Sequence, residues 1–264
     1  MRVLITGCSP GIGGVTCRVL TAMALARGEK PQIAACEIRE TKEVMSLAVD
    51  LRKLGAEVIV LTGDLENVRD PGEMVTKAIE SFGGLDALVS NAGITGPAPL
   101  NELHVSQWDK LMSVNTRATL LLAQAAYPAL KESKGALVAV SSMSGMGAHP
   151  GMGAYGPSKA ALIALCQLLA LEWAADHINV NTVSPSLVRT PLTQKTYDNK
   201  QIAEDRASIV PWGRVGEPED IANIIGFLLS PAAEYVTGQN ILIDGGFVNS
   251  LYSHIPGGLP SREI

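Results

Sequence analysis

The chain has 264 residues, 47% hydrophobic, 18% charged and 4% aromatic, with a mean hydropathy of +0.20; this composition excludes a disordered chain and supplies a sizeable core. A net charge of −5 gives no field that would draw in a phosphate backbone, so no nucleic-acid partner is expected. Four scattered cysteines, Cys8, Cys17, Cys36 and Cys166, form no Cys-x-x-Cys pair and have no histidine at ligand spacing. They read as reduced thiols, with neither a disulfide framework nor a metal site. Met1-Arg2 runs straight into Val3-Leu4-Ile5, too short for the core of an export signal. The longest apolar stretch, 160–175, is broken by Gln167 and Glu172 and reads as short of a membrane span. A cytoplasmic protein with no membrane segment is the expectation.

In chain order, apolar β-type runs at 2–6, 32–36, 57–61, 87–90, 136–141, 179–183 and 241–243 predict strands. Helical periodicity predicts helices at 11–27, 41–54, 71–82, 106–131, 155–177 and 218–230. Asp70-Pro71 and Glu217-Pro218 place proline in a first helical turn, and Glu219 and Asp220 suit the macrodipole of the last helix. Strict alternation of strand and helix predicts crossover units and a parallel sheet. Runs such as Leu137-Val138-Ala139-Val140 predict strands buried on both faces by helices. No repeat or linker divides residues 1–264, which read as a single domain. The segment 186–216 lacks a strand pattern, and two readings stand: a partly helical substrate lid or a mobile surface loop.

Directly after the first strand comes Thr6-Gly7-Cys8-Ser9-Pro10-Gly11-Ile12-Gly13, a glycine-rich turn opening a helix. Gly7 permits a tight turn, Gly11 lets backbone approach a pyrophosphate, and Gly13 lets the helix sit near the sheet, with free amides facing the anion. This predicts a Rossmann-type, doubly wound, seven-stranded parallel sheet with helices on both faces, binding a dinucleotide. Glu37, at the end of the second strand, stands where a carboxylate would take the adenosine hydroxyls and repel a 2′-phosphate. Pro10 fills the place before Gly11 where a basic residue would help bind that phosphate. NAD is therefore expected over NADP, with Arg39 close enough to blur the preference.

Tyr155 and Lys159 lie four apart at the start of a helix, on one face and one turn apart. Bringing a phenol from its usual value near 10 to neutrality requires about 4 kcal/mol of phenolate stabilisation, to which a neighbouring ammonium contributes. Ser142 ends the fifth strand, at the carboxyl edge where such folds bind ligands.

Together these motifs resemble the short-chain dehydrogenase/reductase family over nearly the whole length. The resemblance rests on the glycine turn, Asp64, Asn91-Ala92-Gly93, Asn115, Ser142 thirteen residues before Tyr155-x-x-x-Lys159, and Ile243-Asp244-Gly245-Gly246. It implies that Tyr155 exchanges a proton with the substrate oxygen, that Lys159 binds the nicotinamide ribose and lowers the phenol's pKa, and that Ser142 holds the same oxygen. Asn115 would complete a proton relay through a water. Asp64 and Leu65 would contact adenine, Asn91, Ala92 and Gly93 would line the cofactor, and Pro185, Val188 and Thr190 would sit beside the nicotinamide with Ser9 and Ile12 at the phosphates. Where the family has Pro-Gly, this chain has Pro185-Ser186. Ser186 either adds a hydroxyl near the substrate or occupies a backbone angle that glycine normally takes. The segments Cys36-Glu37-Ile38-Arg39 and 210–233 look like the bacterial 3α-hydroxysteroid dehydrogenase/carbonyl reductase subgroup.

The expected activity is an NAD-dependent interconversion of a secondary alcohol, cyclic or apolar, and its ketone. Met143, Met146, His149, Met152, Leu187, Leu192 and Trp212 flank the catalytic positions and are expected to shape the substrate site, with core packing as the alternative for each methionine. Two rivals stand: an NADPH-dependent 3-ketoacyl-type reductase, and a non-catalytic nucleotide-binding protein on the same fold. A homotetramer or homodimer is implied by the resemblance, and the tail 250–264 either closes a pocket or frays.

Overall fold

A computed structural model describes residues 1–254. β1 (Arg2–Thr6), β2 (Gln32–Glu37), β3 (Glu57–Thr62), β4 (Ala87–Ser90), β5 (Ala136–Val140), β6 (Asn179–Pro185) and β7 (Asn240–Ile243) form one parallel sheet in the order β3-β2-β1-β4-β5-β6-β7. The chain winds outward through β2 and β3, then returns to the other side of β1 with β4. The carboxyl ends of β1 and β4 therefore splay apart into a crevice, the usual ligand position in open sheets.

Alternation along the strands feeds two cores. Val3, Ile5, Ile33 and Ala35 point to the face covered by α1 (Ile12–Ala26), α2 (Lys42–Lys53) and α9 (Pro218–Leu228), meeting Leu20, Leu47, Leu51 and Ile225. Leu4, Ala34, Leu88 and Leu137 point to the other face, against Val75 of α3 (Asp70–Phe82), Leu122 of α5 (Ala118–Ser133) and Leu162 of α6 (Tyr155–Trp173). All four cysteines are free and buried. The expected architecture is present.

Three expectations need revision. The helix predicted at 106–131 is α4 (Val105–Met112), a π turn (Ser113–Arg117) and then α5, because Asn115 is drawn into bonds with the Ile94 backbone. The helix predicted to 177 ends at Trp173, with a 3₁₀ turn (Ala174–Asp176) that closes at His177 in the left-handed region, φ 58°. By length and composition Tyr155–Asp176 is long and apolar enough to cross a membrane, contrary to the reading above. Its composition has a local cause: Leu162, Cys166, Leu169, Ala170 and Trp173 pack into the second core. Within 186–216 lie two short helices, α7 (Gln194–Tyr197) and α8 (Lys200–Ser208), which fits the partly helical reading. Of the tail, 255–264 lies outside the described residues.

Leu162 joins α6 to the sheet and is almost fully buried. Leu162→Ala is expected to cost about 2–5 kcal/mol of unfolding free energy in urea titration; a loss within error would show that α6 is held by something other than this packing.

Candidate active site

A cavity of about 500 Å³ opens at the crevice. Every predicted cofactor position lines it: Gly7, Ser9, Pro10, Gly11, Ile12 and Gly13 after β1, Glu37 at the end of β2, and Asp64 and Leu65 after β3. Asn91, Ala92 and Gly93 follow β4, Tyr155 and Lys159 begin α6, and Pro185, Val188 and Thr190 close the far end.

The glycine turn has the geometry of an anion cradle. Gly11 sits at φ 126°, and a Cβ on Gly13 would lie 2.0 Å from the Gly7 carbonyl oxygen, so a side chain there would force α1 off the turn. α1 begins with no side-chain cap and no acid in its first turn, which leaves donors and the helix dipole for a ligand. Asn91 Nδ2 donates to the carbonyls of Thr6 and Gly7 at 2.9 Å, and Thr6 Oγ1 accepts from the amides of Asn91 and Ala92 at 3.1 Å. The two strand ends are thereby locked around the cradle. The Glu37 carboxylate accepts from the Ser9 amide and faces the cavity, whereas Arg39 does not line it. Asp64 Oδ1 accepts from the Glu66 amide at 2.9 Å, fixing the turn that brings Leu65 to the opposite wall. An uncapped helix start behind a glycine turn, with the Glu37 carboxylate and Leu65 lining the same cavity, fits a dinucleotide cofactor.

At the other end, Lys159 is 3% exposed. Its Nζ donates to the Val140 carbonyl at 2.8 Å and lies 5.9 Å from the centre of the Tyr155 ring. Burial pulls the ammonium down to about 8. Burial also raises the Tyr155 phenol above its ordinary value, opposed by the Ser142 hydroxyl. Among the chain's own groups, burial outweighs the Ser142 hydroxyl at the phenol, while the Lys159 ammonium, with one donor on Val140, lies close to the ring. Ser142 caps a 3₁₀ turn (Met143–Gly145) by accepting from the Ser144 amide at 3.2 Å.

Asn115 lies behind this group. Its Oδ1 accepts from Ile94 N at 2.9 Å, and its Nδ2 donates to Ile94 O and Ser158 Oγ, each at 3.0 Å. Ser158, which nothing in the sequence singled out, is fully buried and also donates to the Tyr155 carbonyl at 2.7 Å. Ser141 likewise donates to the Lys159 carbonyl at 2.9 Å. A serine in an apolar helix or at a strand end carries no spacing signal, so neither was readable beforehand.

The residues expected to shape the substrate site divide between the cavity and its surroundings. Ser142 and Tyr155 line the cavity, as do Ser186 and Leu192, but Met143, Met152, Leu187 and Trp212 do not. Met152 is held in a bridge to Ala98, and the bridge of Val188 to Gly216 leaves the Leu187 carbonyl accepting from Gly216 N. Trp212 is 74% exposed, its amide donating to Gly245 O. Met146 and His149 are exposed, His149 Nδ1 resting 2.8 Å from Ser144 Oγ.

Comparison with known proteins gives consistent matches. Residues 19–248 match the family model described as enoyl-(acyl carrier protein) reductase. A 3-oxoacyl-acyl-carrier-protein reductase of Thermotoga maritima is 35% identical over 93% of this chain and 96% of its own. A tropinone reductase homolog of Arabidopsis thaliana is 34% identical over 97% of this chain and 82% of its own. Among solved structures, one described as an NAD(P)-dependent gluconate 5-dehydrogenase of Beutenbergia cavernae, with NADP bound at low occupancy, has a TM-score of 0.83. It shares 29% identity and covers 94% of this chain and 96% of its own.

The buried ammonium has a signature in stability. Below about pH 8 Lys159 is charged in both states and its burial opposes folding; between about 8 and 10.5 the folded protein sheds the proton that the unfolded chain keeps, so stability rises with pH. Measured by denaturant titration across that window, wild type is expected to gain about 3 kcal/mol relative to Lys159→Met. A constant difference would show an ammonium that is not desolvated.

Proposed function

The chain belongs to the short-chain dehydrogenase/reductase family of oxidoreductases, and on that premise we propose that it interconverts a secondary alcohol and its ketone with NAD(H). The observation that carries the reading is a single cavity with an uncapped, glycine-cradled helix start and Glu37 at one end and Ser142, Tyr155 and Lys159 at the other. The bound nicotinamide would supply hydride transfer. Gly7, Ser9, Gly11, Ile12 and Gly13 would hold its phosphates, Glu37 its adenosine hydroxyls, Asp64 and Leu65 its adenine, and Asn91 to Gly93, Pro185, Val188 and Thr190 its nicotinamide half.

The proton is handled by the chain itself. Ser142 orients the substrate oxygen, and Tyr155 gives that oxygen a proton during reduction and removes one during oxidation. Because burial raises the phenol, Tyr155 holds its proton at neutral pH, the state needed to reduce a ketone. Oxidation needs the phenolate, which the Ser142 hydroxyl favours. Asn115 acts as a positioning residue: it fixes Ile94 and Ser158, and through them the walls beside Gly93 and Lys159.

The rival reading, an NADPH-dependent 3-ketoacyl reductase, draws support from the Thermotoga maritima relative. Against it stands Glu37, whose fixed negative charge faces the place a 2′-phosphate would need. Wild type is expected to use NADH at least tenfold better than NADPH in kcat/KM, and Glu37→Ser to narrow that gap at least tenfold. A preference for NADPH in the wild type would favour the rival. Tyr155→Phe should still bind NADH in a fluorescence titration while losing at least a hundredfold in turnover over a panel of cyclic and acyclic ketones. Retained turnover would remove Tyr155 from the proton step.

A further inference from the structure

Ser186 follows the last residue of β6 and lines the same cavity as Ser142 and Tyr155. Its backbone does not call for glycine: among the described residues the only non-glycines with positive φ are Lys134 and His177. Its amide donates to Ile243 O at 3.2 Å, which ties the residue to the neighbouring strand. A serine therefore sits here without strain, and its hydroxyl is what distinguishes the position.

The hydroxyl donates to Met143 Sδ at 3.0 Å. Met143 is the residue after Ser142 and belongs to the turn that Ser142 caps. The oxygens of Ser142 and Ser186 are thus tied to one short turn. While it donates to that sulfur, Ser186 Oγ keeps its lone pairs available to the cavity. Neighbouring hydroxyls are committed elsewhere: Ser141 Oγ donates to Lys159 O, and Thr193 Oγ1 donates to Val188 O at 2.8 Å while accepting from Thr190 N. In the proposed reaction Ser142 and Tyr155 present donors to the reacting oxygen, and Ser186 adds an acceptor to the same cavity.

Building on the reading of an alcohol–ketone oxidoreductase, we infer that Ser186 is a specificity-determining residue that accepts a hydrogen bond from a hydroxyl on the carbon next to the reacting carbon. The favoured substrates are then vicinal diols and α-hydroxyketones, which narrows the expectation of a plain apolar alcohol. Met143 is a positioning residue for this contact, since its sulfur fixes which way the serine proton points.

Two matched pairs test this with the full-length enzyme and NADH: α-hydroxycyclohexanone against cyclohexanone, and acetoin against butanone. The wild type should favour the hydroxylated member about tenfold in kcat/KM. Ser186→Ala should lower that ratio about tenfold, Ser186→Thr should keep it, and Met143→Leu should lower it severalfold by releasing the serine proton. Because the readout is a ratio, a general loss of fold or rate in a variant does not mimic it. If wild type turns over plain ketones without discrimination, or Ser186→Ala leaves the ratio unchanged, the inference about Ser186 is overturned and the oxidoreductase reading stands. If no ketone or alcohol of any kind is turned over, both fall together.

Discussion

The contact between the first turn of α6 and the end of β5 sets the terms for the rest of the site. Lys159 carries an ammonium into a place with almost no exposure, and a buried cation is costly unless its donors are used. Val140 O takes one. The helix is pressed into that position from both sides: Ser141 Oγ bonds to the Lys159 carbonyl, and Gly145 approaches so closely that a Cβ there would lie 2.7 Å from the Lys159 carbonyl carbon. Tyr155, one turn earlier on the same face, is carried to the cavity by the same packing, and Ser142 is the next residue along from Ser141. The grouping of Ser142, Tyr155 and Lys159 is one consequence of a close strand–helix approach.

A second layer keeps that approach in register. The π turn adds a residue to the helix ladder and swings Asn115 and Thr116 toward α6, where Asn115 Nδ2 and Thr116 Oγ1 both engage Ser158. Asn115 also grips Ile94, just past the Asn91-Ala92-Gly93 wall. From the same turn, Arg117 Nη2 reaches the Glu66 carbonyl at 2.6 Å, beside the adenine-side loop. One irregular turn thus touches both ends of the cavity. A regular helix over these residues would lose these links, which accounts for the π turn interrupting an otherwise well-formed helix.

Features set by local chemistry were readable from the sequence. The strands followed from their apolar runs, the cradle from Gly7, Gly11 and Gly13 after a strand, and the Tyr155–Lys159 face from helical spacing. What was not readable depends on tertiary partners. Helical periodicity runs straight through Asn115, and partners distant in sequence, the Ile94 backbone and Ser158, break it. Where the segments around Met152 and Leu187 go was not readable either, because the bridges of Ala98 to Met152 and Val188 to Gly216 join residues distant in sequence. The direction of the Tyr155 shift was hidden as well, because spacing shows that a lysine is near and says nothing about which acceptor it serves.

Desolvation moves both titrating groups toward their neutral forms, Lys159 downward and Tyr155 upward, so the dry end of the cavity resists holding charge. Ser142 opposes this at the phenol, yet it has a single proton, and its oxygen already accepts from Ser144 N. In the proposed reaction that proton is wanted by two oxygens. When a ketone takes it, the phenol loses the interaction that favoured its ionised form and holds its own proton more firmly, until charge developing on the substrate oxygen draws that proton across. When the product alcohol leaves, Ser142 is returned to the phenol. In the proposed reaction one hydroxyl, capped from behind by a backbone amide, would thus make the acidity of Tyr155 depend on whether the reacting oxygen is in place.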